Sequence, residues 1–99
     1  MPQLEMIRGN ALAAAGRFEK AERAYRREIE SFPDDLTAWA TLSALYFAMN
    51  DAAHGHATLQ SMFDKNRTRN AASLAARTCA AVENMTAAAR WQELAKTIR

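Results

Sequence analysis

Residues 9–25 read Gly9-Asn10-Ala11-Leu12-Ala13-Ala14-Ala15-Gly16-Arg17-Phe18-Glu19-Lys20-Ala21-Glu22-Arg23-Ala24-Tyr25. The run favours helix on both sides of one glycine, and Gly best tolerates the left-handed backbone just past a helix C-terminus. Gly16 therefore reads as the turn of a helical hairpin. Moving outward, Asn50 and Asn84 follow at a spacing of 34 residues, each closing another helix-like stretch. Asn also accepts that conformation. A spacing repeated at this period is the signature of a helical-hairpin array. The expected fold class is all-α, with six helices in three stacked antiparallel hairpins.

The helices are expected at about 2–15, 18–31, 35–49, 52–65, 70–83 and 86–98. Pro2 suits a first helical turn. Phe18, Ala21, Tyr25 and Ile29 recur at three and four, which is one helix face. Opposite them stand Glu19, Glu22, Arg23, Arg26, Arg27, Glu28 and Glu30, read as a mixed-charge outer face. Phe32-Pro33-Asp34-Asp35 stops helix two, because proline disfavours helix at the residue before it, and Asp34 or Asp35 can cap helix three. Trp39, Leu42, Leu45, Tyr46 and Met49 line helix three. Asp51 can cap helix four, which Leu59, Met62 and Phe63 anchor. Asn66-Arg67-Thr68-Arg69-Asn70 reads as a polar linker. Helix five is mostly small residues around Leu74, Cys79 and Val82. Thr86 can cap helix six, with its stripe of Trp91, Leu94, Ala95 and Ile98. No segment alternates with the period of a strand.

Composition bounds the rest. At 99 residues the chain is expected to form one domain, and its 49% hydrophobic content suffices for a core. A net charge of +2 is too mild to point to nucleic acid or an anionic membrane. No apolar run reaches transmembrane length. The start, Met1-Pro2-Gln3-Leu4-Glu5, lacks a secretory pattern, so the expectation is a soluble cytoplasmic protein. The single cysteine, Cys79, excludes an internal disulfide.

These residues resemble the tetratricopeptide repeat, whose pattern is Trp-x-x-Leu-Gly-x-x-Tyr on a first helix, then Gly-x-Tyr-x-x-Ala-x-x-x-Phe, with proline after it. The first repeat carries Gly9, Leu12, Gly16, Phe18, Ala21, Tyr25 and Pro33. The second carries Trp39, Leu42, Ser43 for the glycine, Tyr46, Asn50, Gly55 for the alanine and Leu59 for the aromatic, with Arg67 at the proline position. The third, framed on Asn84, is degenerate: Arg77 lies at the small-residue position, Ala89 at the second small position and Glu93 at the aromatic one. Glu5 and Arg8 replace Trp and Leu in the first helix. The resemblance implies a right-handed α-solenoid with repeats at about 2–35, 36–69 and 70–99, and small residues where paired helices touch.

Candidate chemistry is sparse. His54 and His56 are two apart and point in different directions on a helix, which reads as two solvent-facing histidines rather than a metal site. Cys79 sits among alanines as a small hydrophobe, with no base partner nearby. The three glycines are isolated, so no phosphate loop exists. An enzyme within these residues is not expected, nor is a cofactor. The basic residues Arg67, Arg69, Arg77, Arg90, Lys96 and Arg99 are suited to steering an acidic partner or to keeping the domain soluble.

By resemblance, the first helices of the hairpins line a concave groove. The candidate lining is Gln3, Met6, Asn10, Ala13 and Ala14, then Thr37, Ala40, Ala44, Phe47 and Ala48, then Ala71, Leu74, Thr78 and Ala81, with Met6 and Phe47 as large anchors. A groove of this kind suits an amphipathic helix or an extended apolar segment. The family's clamp for chaperone C-terminal carboxylates is expected to be absent: only Asn10 matches it, while Met6 and Thr41 replace a Lys and an Asn. The expected function is a non-catalytic protein–protein interaction scaffold with a peptide or partner helix in the groove. The alternatives are a structural accessory repeat region of a larger multidomain enzyme, and weak self-association through end helices bearing Trp91 and Ile98.

Overall fold

Three turns of the same construction organise the chain. In the first, Arg17 N–H reaches back to the Leu12 carbonyl at 2.8 Å around Gly16, whose φ is 80°. In the second, Asp51 N–H bonds the Tyr46 carbonyl at 2.8 Å around Asn50 at φ 60°. In the third, Asn84 N–H bonds the Cys79 carbonyl at 2.9 Å around Glu83 at φ 62°. Each is the closing bond that satisfies orphan carbonyls at a helix C-terminus.

The computed structural model describes residues 4–98. Pro2, Gln3 and Arg99 lie outside the described residues. Six helices follow in order: α1 (Leu4–Ala14), α2 (Phe18–Ser31), α3 (Leu36–Ala48), α4 (Ala52–Lys65), α5 (Arg69–Ala81) and α6 (Met85–Thr97). No strand occurs among the described residues. The helices pack most extensively as the hairpins α1–α2, α3–α4 and α5–α6; the hairpins join through α2 on α3, α3 on α5 and α4 on α5. The result is the stacked-hairpin solenoid expected from the sequence. Helix ends fall within two residues of expectation wherever they are described.

The third turn differs from its expected frame. The left-handed residue is Glu83, and Asn84 is instead the N-cap of α6, its side chain accepting from Ala87 N–H at 3.1 Å. Asn84 thus does the capping expected of Thr86. The cause lies upstream. The α2–α3 connector holds residues 32–35, whereas the α4–α5 connector holds only residues 66–68. Thr68 caps α5 through Ala71 N–H at 3.1 Å, so Arg69 and Asn70 are helical and not linker. The third hairpin therefore runs one residue ahead of a strict 34-residue beat. Ala76, not Arg77, occupies the small-residue position and is buried, while Arg77 is exposed. On α6 the second small position is held by the buried Ala88, and Ala89 faces solvent.

Close approach explains the small residues. A Cβ on Gly9 would stand 2.5 Å from the Tyr25 ring, and one on Gly55 would stand 2.8 Å from the Phe47 ring. Ser43 Oγ donates to the Gly55 carbonyl at 2.8 Å, so its buried hydroxyl is satisfied across the α3–α4 contact. Tyr25, Ile29, Trp39, Leu42, Leu45, Tyr46, Leu59, Met62 and Phe63 fill the first two hairpins. In the third, the fully buried residues are Ala71, Ala72, Ala75 and Cys79, while Trp91, Leu94 and Ile98 are half-buried against the core. Trp91 meets Phe63 edge-on at 5.6 Å.

Two side chains of α2 depart from the pattern read in the sequence. Phe18 is 38% exposed and lies off the buried face. Glu28, read as part of the outer charged face, is buried at 1% exposure. The rest of that face is mixed, with Arg26 bonded to Glu22 at 3.1 Å and to the Tyr46 hydroxyl. Glu5 pairs with both Arg8 and Arg27 at 3.3 Å, tying α1 to α2 where aromatic and leucine packing would otherwise stand.

Candidate peptide-docking groove

Helices α3 and α5 run side by side and leave a cleft of about 430 Å³. From α3 it is lined by Thr37, Ala40, Thr41 and Ala44; from α5 it is lined by Leu74, Arg77, Thr78, Ala81 and Val82. The spacings of three and four along both helices put these residues on facing stripes. Thr41 Oγ1 donates to the Thr37 carbonyl at 2.8 Å, and Thr78 Oγ1 to the Leu74 carbonyl at 2.9 Å. Both hydroxyl protons are therefore engaged within their own helices. The cleft behaves as an apolar surface carrying one charge, Arg77.

Of the fourteen residues expected to line the groove, six meet here: Thr37, Ala40, Ala44, Leu74, Thr78 and Ala81. Gln3 lies outside the described residues, Ala71 is fully buried, Ala14 and Ala48 are exposed but do not line the cleft, and the remaining four stand elsewhere. Met6 is buried in the core at 7% exposure. Asn10 Oδ1 accepts the Tyr25 hydroxyl at 2.7 Å, which ties α1 to α2. Ala13 packs half-buried against the core. Phe47 is half-buried against Gly55, and its ring meets His56 edge-on at 5.0 Å, so it belongs to the α3–α4 contact and not to the cleft. Thr41, Arg77 and Val82 were absent from the expected lining. The signal that finds Arg77 is the shortened connector: in the corrected frame Arg77 is the counterpart of Ala44, one hairpin on.

Of the two histidines expected to face solvent, only His56 departs from that position. His54 is exposed, with Nδ1 2.6 Å from Asp51 Oδ2. His56 is half-buried beside a second cleft, of about 480 Å³, between α4 and α6. Asn84 Oδ1 is engaged by Ala87 N–H, which leaves Asn84 Nδ2 to donate to His56 Nε2 at 3.1 Å. No group of three His, Cys, Asp or Glu side chains that could hold a metal ion occurs among the described residues. Cys79 is fully buried, and burial pushes its thiol up from the ordinary cysteine range, away from nucleophilic chemistry near neutral pH. No described helix is long and apolar enough to cross a membrane.

The family profile for the tetratricopeptide repeat matches residues 2–45, which spans the first hairpin and most of α3. Over these residues the chain carries a tetratricopeptide repeat. No curated protein gave a match to the sequence. Tetratricopeptide repeats generally mediate protein–protein interaction and typically act as non-catalytic scaffolds. The matched segment contains Gly9 and Tyr25, whose close contact builds the first hairpin, Gly16, which turns it, and the buried Ala21, together with the α3 half of the cleft.

Proposed function

We propose that this chain is a non-catalytic docking module that seats a partner helix or extended segment in the α3/α5 cleft. The observation that carries this reading is the character of the cleft: small and aliphatic side chains on both walls, with the threonine hydroxyls already engaged. Such a surface can bury an apolar stripe without stranding polar groups. Ala44→Arg tests it, because Ala44 is exposed and the change fills the cleft without touching the core. A partner captured by the wild-type chain should be lost by Ala44→Arg, with the thermal melt unchanged. Equal capture by both sinks the groove assignment. The carboxylate clamp is not part of this reading, since Asn10 and Thr41 both have polar atoms engaged inside the protein.

A second reading, as an accessory repeat region within a larger protein, is favoured by α1. Leu4 is 54% and Ile7 66% exposed, whereas Ala38 and Leu45 on the corresponding side of α3 are buried. An Ile7→Lys variant should leave the melting temperature of these 99 residues within a few degrees. In the full gene product, a large loss of stability from the same change would support this reading, and no loss would remove it. The half-buried Trp91 and Ile98 weaken the case for self-association through α6.

A further inference from the structure

We infer that the segment seated in the α3/α5 cleft carries an acidic side chain that pairs with Arg77, flanked one turn away on each side by small or aliphatic residues. This rests on the groove reading above. Most basic residues of the C-terminal third already have work within the fold. Arg67 lies 3.9 Å from Asp64 and stacks over Phe63; Arg69 donates to the Ile98 carbonyl at 2.9 Å and so caps α6; Lys96 pairs with Glu93 at 3.2 Å. Arg77 and Arg90 have no ion pair among the described residues. Arg90 borders the α4/α6 cleft, and Arg77 alone brings charge to the α3/α5 cleft.

No carboxylate lines that cleft. A purely apolar segment would strip water from the guanidinium and return nothing. A basic segment would be repelled. A carboxylate accepts two parallel N–H bonds from the guanidinium, in surroundings that screen the pair less than bulk water does. Arg77 lies three residues after Leu74 and four before Ala81, so the acid must sit between two apolar contacts, one against each. A polyanion such as nucleic acid is disfavoured, because one arginine neutralises too few phosphates.

The test is a selection from a display library of short helix-forming peptides with no free C-terminal carboxylate, run on the wild-type chain. Enriched peptides are expected to carry Asp or Glu with Ala, Val or Leu three or four positions away. Their synthetic forms should lose affinity about tenfold when the acid is changed to its amide or when Arg77→Ala is introduced. Arg77→Glu should reverse the preference toward peptides with Lys at that position. Enrichment without acidic bias, or unchanged binding by Arg77→Glu, overturns the proposal. Peptides that ignore Arg77 but lose binding to Ala44→Arg leave the groove standing and remove only the acid. Peptides that bind Ala44→Arg as well as wild type, or a selection that yields no binder, remove both.

Discussion

Glu83 holds a backbone conformation that L side chains adopt at a cost of about 1–2 kcal/mol. Gly16 occupies the equivalent site in the first turn at no such cost. Glu83→Gly is therefore expected to raise stability, by up to about 1 kcal/mol once the added freedom of the unfolded chain is subtracted. A denaturant melt with a higher midpoint and unchanged slope would show it, and a lower midpoint would refute the strain argument. Gly9 predicts the opposite sign. An alanine there would push its Cβ to 2.5 Å from the Tyr25 ring, which also donates its hydroxyl to Asn10. Gly9→Ala should destabilise by about 1–3 kcal/mol through overpacking, read as a drop in melting temperature. At this scale the sequence was informative where residues are distinctive. Gly9, Gly16, Tyr25, Trp39 and Tyr46 announce their roles by type and spacing. Glu83 does not, because nothing in a glutamate signals a left-handed turn, while the adjacent asparagine does.

The elements were legible in number and extent, since caps, proline and alanine content act locally. The register of α5 and α6 was not. Ala71-Ala72, Ala75-Ala76 and Ala87-Ala88-Ala89 are runs of one residue type, so sliding the helix by one position leaves its apolar pattern almost unchanged. Register is then set by the connector and by the cap. Asn66 Nδ2 donates to the Pro33 carbonyl at 2.9 Å, the same carbonyl that Trp39 Nε1 bonds at 2.9 Å, which anchors the short connector to the longer one before it. At the other end, Asn84 both caps α6 and ties it to His56 on α4. These two roles separate by substitution. Asn84→Ala should cost about 1 kcal/mol or more, whereas Asn84→Ser keeps a capping oxygen and loses only the amide donor. Chemical denaturation of both variants should rank Ala below Ser, and equal losses would mean that the cap contributes little.

Across the whole molecule the packing is graded. The first two hairpins bury Tyr25, Leu42, Leu59 and Met62, while the third buries chiefly alanines and Cys79. Apolar burial scales with area, so the third hairpin contributes less per residue. Hydrogen exchange should open α6 before α3 and α4; equal protection across the chain would contradict the gradient. The alkaline limb of stability follows from burial as well. Burial raises Cys79, Tyr25 and Tyr46 above their ordinary values. A group raised on folding contributes its full stabilisation below its unfolded value and loses it as pH climbs through the folded one. Melting temperature should therefore hold through neutral pH and fall above roughly pH 9, where the unfolded thiol and phenols begin to ionise. Under native conditions at pH 8 the Cys79 thiol should resist alkylation until urea unfolds the chain. Rapid labelling of the folded protein would show that the third hairpin opens on its own.

Local grammar was legible in one chain: all-helical elements, hairpin turns, small residues at helix contacts, and a match to a repeat family over residues 2–45. Propensity, capping and periodicity act over a few residues, so one chain suffices to read them. The tertiary structure decided the rest. It set the one-residue advance of the third hairpin, the burial of Glu28, the turning of Phe47 onto Gly55, and the meeting of Arg77 with Ala44 across one cleft. Each depends on which face of one helix meets which face of another. An alanine-rich helix leaves that choice open until its neighbours and connectors close around it.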